Sequence, residues 1–395
     1  MLVRKSCVWF LIAVFSLSAT GCSSLPMAGP TTGAIEDGAS AVLPYYLVPV
    51  TTGTLSILDA NEPKGLAGVF TDRRAPASLV LGVGDVLGVT VFEAAAGGLY
   101  IPAEAGIRPG NYVQLPEQAV DNDGNITMPY AGIIKASGHT TVQVQNAIIS
   151  RIKNRAIDPQ VVVSVTSQRT SLVSVMGEVG NPLRFAAAAS GAGDRITDAL
   201  TRAGGIRGQG YETWVVLERD GRRATVPFEN LVMNAANNIY VQPGDRIYVY
   251  REPQKFLAFG AAGQQGEFPF DAWRINLAEA VGKAGGLVDA QADPGSVFLY
   301  RQEPREVAAA LGADMVRFTG PTIPVIFQLS LADPAGYFLA TKLMVRNQDV
   351  LFIANAKQVE ISKFLGLLSL FTNTAANAGY AVTTGYAVRD AIRAR

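Results

Sequence analysis

The sequence contains very few residues that can form disulfides or bind a metal ion. It has two cysteines and one histidine among 395 residues. Cys7 lies in an N-terminal apolar stretch that we expect to be removed, so the mature chain can form no intramolecular disulfide. His139 has no second histidine and no mature thiol with which to share a metal ion. We therefore expect no metal site and no disulfide framework, and stability must come from packing and assembly.

Charge is also sparse and balanced. The chain has 33 basic and 33 acidic side chains, and only 17% of its residues are charged, below the usual quarter. Loss of Arg4 and Lys5 with the leader would lower the 33 basic residues to 31, a net charge of −2. Neither balance gives the positive surface that nucleic-acid binding requires. Such a low charge density is typical of a protomer that buries surface against its own copies or in a membrane.

The first 22 residues have the pattern of a lipoprotein signal. Two basic residues precede an apolar run over 7–17 that is too short to span a bilayer as a mature helix. The run ends at Ala19-Thr20-Gly21-Cys22, where alanine stands in place of the more usual leucine. We expect signal peptide 1–21 to be cleaved between Gly21 and Cys22 and Cys22 to be acylated. The alternative is a plain secreted protein with an incidental cysteine. Ser23, in place of aspartate, favours the outer membrane.

The rest of the N-terminal half predicts a linker followed by a mixed domain. Residues 22–76 are rich in Gly, Pro, Thr and Ala, which indicates an extended tether partly ordered by its neighbours. A folded body begins near Leu79 with a turn that leads into a strand ending at Phe92. Thr141 to about Arg155 carries apolar residues at helical spacing, and a β-branched strand follows over 160–165.

An internal repeat occupies the second half of the chain. Ile196–Ile206 matches Leu277–Leu287, and each copy predicts a short amphipathic helix that ends at an Ala-Gly-Gly stop. Each helix precedes a predicted strand, and each unit closes with a polar turn and a strand, over 242–249 and 346–353. The sequence therefore predicts two tandem α+β modules, each with too little sheet for a Rossmann domain.

The C-terminal region predicts a membrane-spanning amphipathic helix. Phe364–Val388 is 25 residues without a charge, about 37 Å as a helix, which is enough to cross a hydrocarbon core of ~30 Å. Polar and apolar residues fall on opposite arcs. A ring of such helices can place the first arc on a water-filled lumen and the second on lipid, whereas a lone helix exposes polar groups to lipid. The alternative is a helix packed on the protein's own soluble domain. The predicted lumen-facing residues are Ser369, Thr372, Asn373, Asn377, Thr383 and Thr384, and the predicted lipid-facing residues are Phe364, Leu367, Leu368, Phe371, Val382 and Tyr386.

Motifs that could indicate catalysis or cofactor binding are better explained as turns. Gly82–Leu87 approaches a dinucleotide fingerprint, but leucine replaces the third glycine and a strand follows where a helix is needed. The 121–132 stretch imitates a calcium loop but lacks the required glycine and glutamate. Ser190 has no histidine near it in the sequence for a catalytic triad. We expect no enzymatic activity, no catalytic residue and no cofactor.

Four segments occur in a fixed order ahead of the two Ala-Gly-Gly helices: Leu81–Leu87, Asp121–Gly132, Asp158–Val161 and Met176–Pro182. Together they resemble the Wza-type polysaccharide export proteins. The resemblance implies an α+β chain that ends in a barrel helix over 357–395, behind an export domain and two soluble-ligand-binding β-grasp (SLBB) modules. The second module departs from the pattern, because it lacks the Gly-Glu-Val-x-x-Pro start and carries a longer insertion around 304–324. The implied domains are the export domain 77–170, the first module 171–254 and the second module 255–356.

The resemblance also implies a location, partners and a function. Members of this family are outer-membrane lipoproteins that stack as rings, often octamers, around a central cavity. They work with an inner-membrane polysaccharide co-polymerase, often coupled to a tyrosine kinase. The implied function is export of a capsular or extracellular polysaccharide through a porin-like channel, with a periplasmic body and the C-terminus at the cell surface. The alternatives are a lipid-anchored periplasmic glycan-binding protein without a conduit and a glycan-processing enzyme.

Overall fold

The computed structural model describes residues 29–37, 43–72, 74–75, 80–94, 98–101, 112–187, 193–357 and 359. These residues fall into two units. The terminal unit combines residues up to Glu62 with Gln254–Phe270 and the residues from Arg274 onward, and the central unit combines Pro63–Pro253 with Asp271–Trp273. The chain therefore leaves the terminal unit at Glu62 and returns to it at Gln254.

The described elements alternate between short helices and strands. In chain order they are α1 Thr32–Glu36, β1 Tyr46–Pro49, α2 Thr52–Ala60, α3 Leu66–Val69, β2 Val86–Phe92, β3 Tyr112–Gln114, β4 Gln118–Ala119, β5 Asn125–Met128, β6 Gly132–Lys135, α4 Thr141–Ile152, β7 Gln160–Ser167, β8 Leu172–Gly177, β9 Leu183–Ala186, α5 Ile196–Arg202, β10 Thr213–Arg219, β11 Arg222–Pro227, α6 Phe228–Met233, β12 Arg246–Arg251, β13 Lys255–Gly260, β14 Gly266–Pro269, β15 Ile275–Asn276, α7 Leu277–Lys283, β16 Ala292–Pro304, α8 Arg305–Ala310, β17 Thr322–Leu329, α9 Pro334–Ala340, β18 Met344–Val345 and β19 Val350–Asn355.

The first part of the central unit, which we call the β2–β7 lobe (residues 80–167), is built around one antiparallel strand pair. Strand β2 pairs with β7 along its whole length and also with β3 and β4, while β5 and β6 form a separate hairpin. Alternate residues of β2, such as Leu87, Val89 and Val91, are buried in the core of the lobe. This alternation is the period-2 pattern that predicts a half-buried strand.

Helix α4 covers this core, and it forms where the sequence predicts it. The Thr140 hydroxyl accepts from the Gln143 N–H at 3.2 Å, and the Gln143 side chain accepts from the Thr140 N–H at 2.8 Å. These two bonds close a capping box. Val144, Ile148 and Ile152, four residues apart, are fully buried in the core that β7 shares. The helix ends three residues before the predicted end.

The two repeated modules share one sheet topology. The first module has the strand order β11-β10-β12-β8-β9, and the second has β17-β16-β19-β13-β14 with β1 added beside β17. In each module one central pair is parallel, β12 with β8 and β19 with β13, while the pairs on either side of it are antiparallel. The insertion around 304–324 forms α8 and the connection from β16 to β17.

The predicted Gly-Gly stops end both module helices. All four glycines adopt left-handed backbone with φ of 75–79°, which glycine adopts without steric cost. The Gly205 N–H donates to the Leu200 carbonyl and the Gly286 N–H donates to the Val281 carbonyl, each at 2.9 Å. These bonds satisfy carbonyls that the helix end would otherwise leave without a partner.

The N-terminal segment is more ordered than its composition predicts. Strand β1 pairs in parallel with β17 through the register Tyr46↔Val325 to Pro49↔Gln328. Val48, Leu55 and Leu58 are buried. Glycine and proline content indicated a tether, but the apolar residues between the turns are enough to add a strand and a nine-residue helix to the terminal unit.

Within the part of the chain that the structure describes, no helix has both the length and the apolarity to cross a membrane. The predicted membrane helix, Phe364–Val388, lies outside the described residues.

Candidate functional site

None of the residues predicted for the membrane functions falls in the described part of the chain. Gly21 and Cys22 precede it, and the lumen-facing and lipid-facing sets follow it.

The predicted tight turn at 121–125 is confirmed, but it does not close a hairpin, because the flanking strands β4 and β5 belong to different sheets. The Asp121 carboxylate accepts from the Asn125 N–H at 2.8 Å, and the Asp121 N–H donates to the Asn125 carbonyl at 2.9 Å. Gly124 supplies the left-handed residue with φ of 77°. The carboxylate thus stabilises the turn itself. Among the described residues, no group of three or more His, Cys, Asp or Glu side chains is placed to hold a metal ion.

Three turns of the described chain share one aspartate-centred geometry. In each, the aspartate N–H donates to the carbonyl of the residue three positions earlier, at 3.1–3.2 Å, and its carboxylate accepts from the N–H of that same residue, at 2.7–2.9 Å. The residue before the aspartate has a positive φ. The turns are Gly82–Asp85, Gln242–Asp245 and Arg346–Asp349.

The partner of the aspartate differs between the lobe and the modules. Asp85 accepts from the Thr170 hydroxyl at 2.8 Å and from the Arg169 and Thr170 N–H groups at 2.7 and 3.1 Å. It therefore fixes the chain that follows β7. In the modules Asp245 and Asp349 each bind a buried arginine. The Gly82–Leu87 segment, which approaches a dinucleotide fingerprint, is thus a structural turn. Its aspartate, Asp85, is hydrogen-bonded within the fold.

Exposed apolar side chains occupy equivalent helices in the two modules. Helix α6 follows β11 in the first module, and α9 follows β17 in the second. Val232 and Met233 on α6 are exposed, Met233 to 84%, and Tyr337 and Phe338 on α9 are exposed, Phe338 to 74%. Contiguous exposed apolar residues mark protein or membrane contacts. The sequence did not reveal these residues. Helices α6 and α9 have six and seven residues, which is too short for a hydrophobic pattern to show which face is exposed.

Two concave surfaces lie in the second module. A groove of about 490 Å³ runs beside α7 and α9, and its walls include Val281, Leu331 and Tyr337. A cavity of about 510 Å³ is lined by polar and aromatic residues that include Tyr300 and Arg346. Burial, with the neighbouring Tyr45, raises the pKa of Tyr300 to about 12.

A tyrosine turn stands out on the surface of the β2–β7 lobe. Tyr130 has a φ of 65° and is 55% exposed. The Tyr100 ring meets it nearly edge-on, with centroids 5.5 Å apart and an interplanar angle of 85°. The Arg155 guanidinium carbon lies 5.6 Å from the Tyr130 centroid. In the sequence, the only sign of this feature is a bulky residue in a Pro-Tyr-Ala-Gly turn. Composition alone does not distinguish such a turn from an ordinary loop.

The two ends of the described chain meet in the terminal unit. The Gly29 backbone packs so closely on the ring of Phe352 that a Cβ at Gly29 would lie 2.5 Å from the ring atom Cε2. Phe352 is buried, and four residues later the Ala356 N–H donates to the Gln291 carbonyl at 2.8 Å. Gly29, the first described residue, and strand β19, which ends at Asn355, therefore lie in one region of this unit.

Comparisons with known proteins agree along most of the chain. The family described as polysaccharide biosynthesis/export protein matches residues 73–166, and the SLBB domain matches residues 171–249 and 254–353. The chain is 32% identical over 370 residues to the capsule polysaccharide export outer membrane protein CtrA of Neisseria meningitidis serogroup B, covering 90% of this chain and 93% of that protein. It is 29% identical over 379 residues to the capsule polysaccharide export protein BexD of Haemophilus influenzae, covering 91% and 94%. It is 26% identical over 298 residues to the Vi polysaccharide export protein VexA/TviF of Salmonella typhi, covering 75% and 79%.

Proposed function

The chain belongs to the Wza-type family of polysaccharide export outer membrane proteins, and on that premise we propose that it is one subunit of a ring that conducts a capsular or extracellular polysaccharide across the outer membrane. Its relatives are named as export proteins, not as enzymes. We propose passage of the polymer without bond chemistry.

The exposed apolar pairs on α6 and α9 carry the proposal of a ring. Each of the two modules leaves apolar side chains exposed on the equivalent helix. Each module can therefore make the same type of contact with a neighbouring subunit. In a closed ring, each subunit meets its neighbour through two different surfaces, so such a patch is covered by the next copy. Met233 and Phe338 would then be buried in the assembly and exposed in the single protomer.

The packing of Gly29 on Phe352 supports a membrane-side position for the second module. Cys22, the proposed acylation site, lies seven residues before Gly29, at most about 25 Å of extended chain. The proposed membrane helix begins twelve residues after Phe352. Both proposed membrane attachments therefore leave from one region of the terminal unit, as expected if this unit stands next to the bilayer with the rest of the body in the periplasm and the C-terminus at the cell surface.

The proposed lumen is lined by uncharged hydroxyl and amide groups. Many weak, replaceable hydrogen bonds suit a moving polymer, because conduction requires binding that is weak enough to release. We propose that the energy comes from polymer synthesis or from an inner-membrane co-polymerase coupled to a tyrosine kinase. The export domain over 77–170 and the SLBB modules over 171–254 and 255–356 form the proposed periplasmic body.

Charge placed on the apolar pairs tests the ring. In full-length protein extracted from membranes with detergent, Met233→Arg combined with Phe338→Arg should lower the particle mass toward that of one protomer and reduce polysaccharide at the cell surface. Ala309→Arg on the exposed side of α8 is the control, and it should leave both unchanged. A wild-type particle with the mass of one protomer would instead support the lipid-anchored glycan-binding alternative.

A further inference from the structure

The first module has an exposed apolar surface on each side of its sheet. We propose that the pair on α6, Val232 and Met233, packs on the outer sheet face of the first module of a second copy of this chain. The receiving surface, which we call the aromatic patch, consists of Met176, Tyr248 and Tyr250. This inference rests on the proposed function, because it takes the neighbouring subunit as the partner. It adds the surface that receives the α6 pair.

The helical side of the sheet carries the α6 pair. Leu231 on α6 is fully buried in the core of the module, together with Val215 and Ile247 of the sheet. The next two residues of the helix, Val232 and Met233, are 52% and 84% exposed. Helix α6 is therefore held to the core by Leu231, while its last two residues present apolar side chains to the solvent.

The opposite side of the same sheet carries the aromatic patch. Tyr248 and Tyr250 flank the core residue Val249 on β12, so they point to the other face of the sheet. Met176 on β8 lies beside Tyr248 in the parallel register. The two tyrosine rings are stacked with their centroids 6.1 Å apart, and Tyr248 and Met176 are 44% and 40% exposed. Adjacent exposed apolar side chains of this kind mark a contact surface.

In the second module the equivalent sheet face is covered by another segment of the chain. Phe352 lies beside Phe259 there, as Tyr248 lies beside Met176 in the first module. Phe352 is only 6% exposed, because it packs in an apolar cluster with Ile35 of the N-terminal segment. Tyr248 occupies the same place and stays exposed. The aromatic patch is therefore a sheet face of the kind that this protein buries under apolar side chains.

Two different apolar surfaces on opposite sides of one sheet suit a head-to-tail contact. In a closed ring each copy meets one neighbour through the first surface and the other neighbour through the second. Methionine packs favourably on aromatic rings through its polarizable sulfur, so Met233 of one copy and Tyr248 of the next are complementary. The second module cannot repeat this contact, because its own N-terminal segment already occupies the sheet face. The proposed contact is therefore confined to the first module.

Cross-linking between copies tests the contact. Full-length protein with Met233→Cys and Tyr248→Cys is treated in its native membranes with a short bismaleimide and run on a denaturing gel. The wild type is the blank, because Cys7 lies in the proposed leader and Cys22 is the proposed acylation site. We expect a ladder of covalent multimers, with at least about tenfold more cross-linked chain than in either single variant, because neighbours held in contact have a high effective concentration. Met233→Cys combined with Val142→Cys, at a 57% exposed position on α4, is the control and should give no ladder.

The mass of the detergent-extracted particle separates this proposal from the proposed function. A ring-sized particle that gives no ladder would overturn the contact and leave the ring untouched. A ladder from Met233→Cys alone would also overturn it, since like surfaces would then meet. A Tyr248→Cys thiol that is shielded from maleimide without forming a ladder would show a different occupant of the patch and overturn it too. A ladder from a protein that extracts with the mass of one protomer would support the contact and contradict a stable ring.

Discussion

Arg219 and Asp245 form a buried two-pronged ion pair in the first module, with Nε–Oδ1 and Nη2–Oδ2 distances of 2.7 and 2.6 Å. Arg301 and Asp349 form the equivalent pair in the second module, where Glu303 also lies 3.4 Å from the guanidinium. The arginines lie on β10 and on β16. Each aspartate lies in the turn immediately before the last strand of its module, β12 or β19. The pair therefore ties the end of each module back to its middle.

Removing one partner of the first pair should strongly destabilise the protein. Asp245→Ala leaves Arg219 buried without a counter-charge, which costs about 3–5 kcal/mol in unfolding free energy. Asp349→Ala should cost less, because Glu303 remains beside Arg301. Urea denaturation of each variant measures the difference. The double change Arg219→Met with Asp245→Leu should recover much of the loss, and a double variant no more stable than Asp245→Ala would contradict this assignment.

A glycine at the end of the first strand of each module should tolerate no side chain. Gly177 and Gly260 have positive φ, and a Cβ at either would collide with a backbone carbonyl of the neighbouring parallel strand. We expect Gly260→Ala to prevent folding of the second module. The control is Gly286→Ala, which has the same sign of φ but open space around it and should cost only about 1 kcal/mol. Thermal unfolding followed by circular dichroism compares them, and equal losses would show that the close approach does not matter.

The N-terminal segment should contribute to the stability of the terminal unit. Leu58 of α2 is buried, so Leu58→Ala should lower the unfolding free energy by about 2–5 kcal/mol. Ser56 lies on the same helix and is exposed, so Ser56→Ala should change it by less than about 0.5 kcal/mol. Chemical denaturation of both variants is the measurement. A segment that acts only as a tether would make the two variants indistinguishable.

Tyr300 should make the stability of the second module fall at alkaline pH. Burial raises its pKa to about 12 in the folded protein, above the ordinary value near 10. The stabilisation is fully present below about pH 10 and is lost as the pH rises through the folded value, because the unfolded chain releases the proton first. The urea midpoint should therefore fall more steeply above about pH 10 in the wild type than in Tyr300→Phe. Parallel pH profiles would contradict this.

Local structure could be predicted from the sequence where a single local pattern determines it. The helix from Thr141, the Gly-Gly stops of the two modules and the tight turn at Asp121 follow from residue periodicity and turn chemistry. Each depends on residues within about one turn of one another. The hydrogen bonds at the start of α4, at the two Gly-Gly stops and in the Asp121 turn confirm these predictions.

Long-range relationships were not predictable from the pattern. Strand β1 pairs with β17, which lies about 280 positions away in the chain, and register across such a distance leaves no local signal. The same applies to Arg301 and Asp349, whose charges look like ordinary surface residues in sequence. The sequence also gives no sign that Val232 and Met233 are exposed, because their exposure depends on how α6 packs on the sheet of the folded module.

Imaging of the purified full-length assembly in a lipid bilayer mimetic tests the central claim most directly. The account predicts a closed ring with a continuous hole, and a wall within the bilayer formed by residues 364–388 of successive subunits. The polar side chains of that segment, such as Asn373 and Asn377, should face the hole. A particle without a hole, with residues 364–388 docked against the globular body of their own subunit, would contradict it.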